Sequence, residues 1–246
     1  MSDNIPSVQE SPSPKSTRLI IAIDFGTTYT SVAYIKTSVT RWSEQDSLES
    51  FRHKAQVVRE WPGSPSERNE FETCLIYNKN KPEESAFGYH QVEQLKRSLS
   101  KKERSSLSPV IRHFKLSLHH SRDTQDERDH LERIGNDINP QKSPTDFVRD
   151  FLYKLRCHLL DGRGSFFQVH FPDMTDDWKP EWVIGVPAAW LNPHEQQRYV
   201  DAAREAGILA PCLVSEAEAT ATAFLADKYD ELEVSMRTIL GLNIPS

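Results

Sequence analysis

The sequence predicts an α/β fold on a mixed sheet, an antiparallel hairpin first and parallel strands covered by helices later. Three observations carry this. A short apolar, β-rich run at 19–23 passes through Asp24-Phe25-Gly26-Thr27-Thr28 into a second such run at 29–35. Late in the chain, strand-like runs at 182–186 and 212–214 alternate with helical patterns, as in sheets with parallel neighbours. Between them, at about 60–140, the chain is polar and irregular, which reads as an α/β insertion.

Residues 1–17 hold five serines and three prolines and almost no large apolar groups. Such a stretch cannot bury enough surface to offset the entropy of ordering it, so a disordered tail is expected. The run at 19–23 is short enough to be a buried strand. The hairpin tip then carries a carboxylate, a glycine and two hydroxyls. As an ordinary turn these are merely polar. Each also has a use if the ligand is a nucleoside triphosphate. Gly26 lets backbone approach an anion closely. Amides and threonine hydroxyls donate to phosphate oxygens. Asp24 can hold Mg²⁺ through water, because that ion keeps much of its hydration shell.

A third strand is expected at 51–58, a loop at 61–65, a short strand at 73–77 and a turn at 78–82. From 90 to 140, Lys96, Arg97, Lys101, Lys102 and Arg104 are interleaved with serines, and acids alternate with bases across 123–137. That pattern favours solvated faces of short helices over a binding patch. His113, His119, His120 and His130 lie here without metal-ligand spacing. Lys115 also lies here, flanked by Phe114 and Leu116. A lone lysine is usually surface, but these neighbours would fix its backbone against a core.

A helix is expected at 143–161. Ser143 caps it, Pro144 takes its first position and Asp146 sits in its first turn. Phe147, Phe151, Leu155 and Leu159 then recur every four residues as a core-facing stripe, and Gly162 and Gly164 end it. The strand at 182–186 stops at Pro187. Asn192-Pro193 opens the next helix, whose small face is Ala202, Ala203 and Ala206, and Gly207 closes it. After the strand at 212–214, Ser215 and Glu218 have capping-box spacing. The helix they open carries Ala217, Ala221, Phe224 and Leu225 on one face. Glu216 takes its first position. There it favours the helix dipole by about 0.3–1 kcal/mol, or it aims from a strand end into a cleft, where α/β folds place their chemistry.

Composition narrows the function classes. The chain has 246 residues, 37% apolar, with 30 basic against 36 acidic side chains for a net charge of −6. Without a basic block, nucleic acid and anionic membrane surfaces are not expected partners. Cys74, Cys157 and Cys212 are odd in number and share no metal-like spacing, so reduced, buried thiols are expected. With neither a signal pattern nor a span of about 20 apolar residues, the cytoplasm is the expected compartment, with the nucleus as the alternative.

Three blocks together resemble a known family. Ile23-Asp24-Phe25-Gly26-Thr27-Thr28-Tyr29 resembles the first phosphate loop of the heat-shock 70 chaperones, within the actin-like ATPase (ribonuclease H-like) superfamily. Residues 183–188 and 202–207 resemble the family's connecting segment, and 213–221 its glutamate-bearing helix start. The resemblance covers 18–228, is closest to divergent fungal members, and departs at Ser215, where Asn is usual, and Ala217, where Pro is usual. It implies ATP or ADP with Mg²⁺ as cofactors, Asp24 near the metal, and Gly26, Thr27, Thr28 and Tyr29 around the phosphates. It further implies Lys115 on the γ-phosphoryl, Glu216 by the attacking water, and Pro187 and Arg198 relaying nucleotide state to a peptide-binding domain. Hydrolysis of this kind is mostly positioning and charge neutralisation. Co-chaperones and client proteins would be partners of a longer form.

The family's second phosphate loop, an Asp followed by glycines, has no counterpart after Asp227, and 229–246 read as an atypical tail. The resemblance therefore implies the first lobe of a two-lobed domain, from a truncated product, a splice form or an incomplete gene model. Such a lobe is expected to bind ATP weakly and to turn it over no faster than background. The alternatives are a sugar or small-molecule kinase lobe, which shares the Asp-x-Gly-Thr-Thr start, and a non-catalytic protein-binding module.

Overall fold

The computed structural model describes residues 18–37, 54–81, 84–174, 179–190 and 192–224. The expected tails at 1–17 and 229–246, and residues 51–53, 82 and 225–228 of other expected segments, lie outside them.

The fold is mixed α/β. Strands β1 (Arg18–Phe25) and β2 (Tyr29–Thr37) form the antiparallel hairpin, with Asp24 opposite Ser31 and Phe25 opposite Thr30. Strand β7 (Glu181–Val186) pairs parallel with β1, and β8 (Cys212–Ser215) parallel with β7. Two short strands, β3 (Gln56–Val57) and β4 (Glu70–Glu72), both pair antiparallel with β2. The order β3-β2-β1-β7-β8 leaves β1 at the centre, with β4 off the path beside β2.

Alternation along the strands gives the sheet two unlike faces. Leu19, Ile21, Ile23 and Phe25 are buried with Val32, Trp182, Ile184 and Val186, while Ile20, Ala22, Ala33, Val183 and Gly185 on the opposite side are only partly covered and Asp24 is exposed. This is the period-two pattern of a half-buried sheet. In the insertion, α1 (Tyr89–Ser98), α2 (Lys101–Arg104) and α3 (Gln125–Ile138) flank a 3-10 turn, Phe114–Leu118. They are followed by α4 (Pro144–Leu160), α5 (Phe166–His170), α6 (Pro193–Glu205) and a helix at 216–224, α7.

Helix α4 follows the sequence closely. The Ser143 hydroxyl accepts from the Asp146 amide at 3.3 Å while the Asp146 carboxylate accepts from the Ser143 amide at 2.7 Å. Phe147, Val148, Phe151, Leu152, Leu155 and Leu159 are fully buried. At about 1.5–3 kcal/mol per buried large side chain, this stripe outweighs any helix propensity. It meets the sheet through Phe151, 5.5 Å from the ring of Phe25. The alanines of α6 are buried as expected, and α6 lies beside α4, where small side chains let two helices approach.

Several expectations are corrected. The third strand shrinks to the two residues of β3, which leave β2 within two pairs. The strand at 73–77 shrinks to β5 (Leu75–Ile76), which joins β6 (Ala86–Phe87) in a separate small sheet. All three cysteines are free, but only Cys74 is buried; Cys157 is half-buried and Cys212 exposed. Ala217, Ala221 and Phe224 of α7 are exposed, Phe224 at 61%. Among the described residues no helix is long and apolar enough to cross a membrane.

Candidate functional site

The site forms where the central strands end. Ile23 pairs with Ile184, and Gly185 with Val214, so Asp24 and Gly185 come next in register. Glu216 follows directly as β8 turns into α7. Gly185 stands between Asp24 and the Glu216 strand and puts no side chain in the gap: a Cβ there would meet Asp24 Oδ1 at 3.9 Å. Asp24, Ser31, Gly185, Val214, Glu216 and Thr220 share one pocket of about 280 Å³ on the open face of the sheet. Two carboxylates far apart in the chain thus meet on the same face.

The capping box at α7 fixes Glu216. The Glu218 amide donates to Ser215 Oγ at 3.1 Å, and the Ser215 amide to Glu218 Oε2 at 3.0 Å. With Ser215 and Glu218 so occupied, Glu216 has its carboxylate free of cap duty at the helix start. Beside the pocket, the tip of the hairpin turns tightly. A Cβ at Gly26 would lie 2.2 Å from the Tyr29 carbonyl oxygen, so the turn itself requires glycine, whatever approaches from outside. The Thr28 carbonyl accepts from the Thr73 amide at 2.8 Å, tying the tip to the insertion. Thr27 is half-buried, and Thr28 and Tyr29 are exposed.

Lys115 reaches the same place from the packed face. His113 adopts a left-handed backbone (φ 56°) just before it, and the 3-10 turn that follows directs Lys115 inward, its side chain 4% exposed. Its Nζ lies 5.7 Å from the centre of the Phe25 ring and 5.6 Å from that of Trp190, within cation–π range, and 3.7 Å from Glu216 Oε1. Burial pulls the ammonium pKa below the ordinary lysine value, and the carboxylates of Glu216 and Asp24 oppose that pull.

Pro187 and Arg198 both act on Lys115's surroundings. The Pro187 carbonyl accepts from the Trp190 amide at 2.9 Å, folding the indole back towards the lysine. Arg198 donates through Nε at 3.1 Å and through an Nη at 2.7 Å to the Leu118 carbonyl, the last of the 3-10 turn. On the next residue, His119 Nδ1 stands 2.8 Å from Oε1 of the buried Glu195.

No family model matches this chain, and no match was found among curated proteins.

Trp190 lies beside Lys115 and Tyr199 packs against Trp190, and neither was singled out by the sequence. An aromatic residue near or on an amphipathic helix reads as core, and both aromatics are core; only the fold puts Lys115 against one and between the neighbours of the other. Among the described residues no group of three or more His, Cys, Asp and Glu side chains is placed to hold a metal directly. A hollow of about 480 Å³ lies elsewhere, around Lys142 and Asp150, but those two bond to each other and the third charged group, Lys154, donates to the Ser85 carbonyl.

Proposed function

We propose that the chain carries the first lobe of an actin-like nucleotide-binding domain of the heat-shock-70 type, and that the sheet end at Asp24 and Glu216 takes the phosphate tail of ATP with its Mg²⁺. The observation that carries this reading is the meeting of Lys115 with Glu216 at 3.7 Å beside Asp24. A buried ammonium against a half-exposed carboxylate has little structural purpose, because burying charge is costly and apolar replacements are often neutral or stabilising. It has a clear purpose where phosphoryl charge must be met.

The donor set suits the ion. Asp24 and Glu216 offer hard carboxylate oxygens from an open pocket, and Mg²⁺ binds through one or two carboxylates while keeping several waters. When bound, the ion would neutralise phosphate charge. The chain's own groups would do the rest. Amides of the 26–28 tip and the hydroxyls of Thr27 and Thr28 would donate to phosphate oxygens, Tyr29 would border them, and Lys115 would balance charge on the γ-phosphoryl. Glu216 would orient the water that attacks it. Pro187 and Arg198 would couple the state of that site to their own elements through Trp190 and the 3-10 turn.

Asp24 and Glu216 are exposed, and exposed ionic contacts are each worth little. Affinity weaker than micromolar is therefore expected, with turnover no faster than background. Titrating the ¹⁵N-labelled chain with Mg-ATP should move the amides of Gly26, Thr27 and Thr28 and the Lys115 side chain together. Unmoved tip amides at millimolar Mg-ATP would refute the proposal.

One feature favours a second reading, a protein-binding module. Helix α7 is exposed along 216–224 and shows Phe224 to solvent. Under that reading Phe224→Asp abolishes partner capture while Glu216→Ala and Lys115→Ala leave it intact.

A further inference from the structure

The phenol of Tyr199 is out of place in an apolar core. The ring belongs there: it lies 5.7 Å from Phe25 and 5.9 Å from Trp190 and is fully buried. The hydroxyl does not. Its oxygen is sealed from solvent and has no hydrogen-bond partner, although buried hydroxyls are nearly always paired. A phenylalanine would fill the same space without that penalty.

The surroundings say which way the partner lies. Phe25 and Trp190, the rings against Tyr199, are also the two rings around the Lys115 ammonium. Burial first, then the charges of Asp24 and Glu216, push the phenol's proton release well above the ordinary tyrosine range, so it stays a donor at neutral pH. It bonds to neither carboxylate. A buried donor packed on the two rings that also hold the Lys115 ammonium, and bonded to no protein group, is the kind of group that one intervening oxygen commonly bridges.

We propose that Tyr199 is a further positioning residue of this site, its hydroxyl donating to an oxygen held between Asp24, Glu216 and Lys115. That oxygen is a water of a hydrated divalent cation or a phosphate oxygen; for the nucleotide as its source the proposal rests on the function proposed above. Tyr199 then holds from the packed face what Asp24 and the hairpin tip hold from the open one.

The test uses the full chain with ¹³Cζ-labelled tyrosine, as wild type and as Tyr199→Phe, with Mg-ATP, MgCl₂ alone and sodium phosphate alone. Tyr199→Phe assigns the signal and should melt within a few degrees of wild type. The expected result is a shift of the Tyr199 signal together with the Gly26–Thr28 amides on adding Mg-ATP. Tyr199→Phe should weaken that binding about fivefold, the worth of one hydrogen bond, with a shift in MgCl₂ alone assigning the oxygen to the cation's water and one in phosphate alone to the anion. If the tip amides move with Mg-ATP while the Tyr199 signal stays still and Tyr199→Phe binds as wild type does, the inference about Tyr199 is overturned and the nucleotide reading survives. If the tip amides never move, the nucleotide reading fails, and the two single-ion arms decide the tyrosine: a Tyr199 shift in either supports it as an ion-site donor, and none in either overturns it.

Discussion

Lys115 Nζ stands 3.7 Å from Glu216 Oε1, with the lysine 4% exposed and the glutamate 50% exposed. The pair is lopsided. The cation bears the cost of burial while its partner keeps half its solvent. Replacing a buried ion by an apolar group of similar length is commonly neutral or stabilising, so Lys115→Met should raise stability by about 1 kcal/mol in urea unfolding at pH 7. Lys115→Ala, which leaves a hole between Phe25 and Trp190, should lower it. A loss of stability in Lys115→Met would show that the lysine serves the fold and not a ligand.

The same lysine sets a pH dependence. Its folded pKa is lowered from the ordinary 10.5, chiefly by burial. Between the folded value and 10.5 the unfolded chain binds more protons than the folded one, so stability from this group rises with pH across that window. Differential unfolding of wild type against Lys115→Met should show wild type gaining on the variant as pH climbs towards 10.5. A constant difference would mean that the ammonium is not penalised.

Arg198 should matter to the fold through one carbonyl. Both of its hydrogen bonds end on the Leu118 oxygen, and Leu118 is fully buried. Hydrogen bonds from a charged donor are worth about 1.5–3 kcal/mol, so Arg198→Ala should cost about 2 kcal/mol in urea unfolding. Arg198→Lys, able to place one donor there, should recover part of it. No loss in Arg198→Ala would free this residue for a purely signalling role.

Gly26→Ala tests whether the hairpin tip is as tight as its geometry implies. The added methyl would sit 2.2 Å from a backbone oxygen, and backbone cannot swing aside as a side chain can. A loss of about 1–3 kcal/mol is expected, as for other overpacked sites, with the Thr28 and Thr73 amide signals displaced. An unchanged melting curve would mean that the turn is loose enough to rearrange around a ligand.

The hairpin, α4, β7, α6 and β8 were legible in the sequence because each is written in a local code: apolar runs of strand length, a four-residue stripe, serine and asparagine caps. Asp24 and Glu216 were legible for a related reason, since a polar residue at the end of an apolar strand is conspicuous. The insertion was not. Strands of two residues such as β3 and β5 have no period to detect, and β4 offers a single buried residue, Phe71, between two glutamates. Their pairing is decided by partners elsewhere, as when Thr30 and Thr73 join hydroxyls at 2.8 Å in the core. Lys115 was marked only by its apolar neighbours, and Tyr199 by nothing, because an unpartnered hydroxyl is a property of the fold and not of a residue type.

Asp150 offers a test of the insertion's attachment to α4. Its Oδ2 accepts from Lys142 Nζ at 2.5 Å and from the Tyr77 hydroxyl at 2.8 Å, and its Oδ1 accepts from Arg149 Nε at 2.9 Å. Burial alone would raise its pKa, but the hydrogen bond and charge of Lys142, with bonds from Tyr77 and Arg149, more than reverse this and hold it below the ordinary 3.8. A carboxylate depressed on folding contributes stability that is present above its unfolded pKa and lost as pH falls through its folded one. Asp150→Asn removes the charge and leaves the nearly buried Lys142 ammonium without its counter-ion, which should cost about 3 kcal/mol at pH 7. The gap between variant and wild type should hold down to the neighbourhood of pH 4 and then close with further acidification, as wild-type Asp150 takes up its own proton. Urea unfolding of both proteins at pH 7 and at steps below pH 4 measures this. A gap that stays constant through the acid range would assign the cost to shape and not to charge, and the carboxylate would not be what fastens Tyr77 and Lys142 to α4.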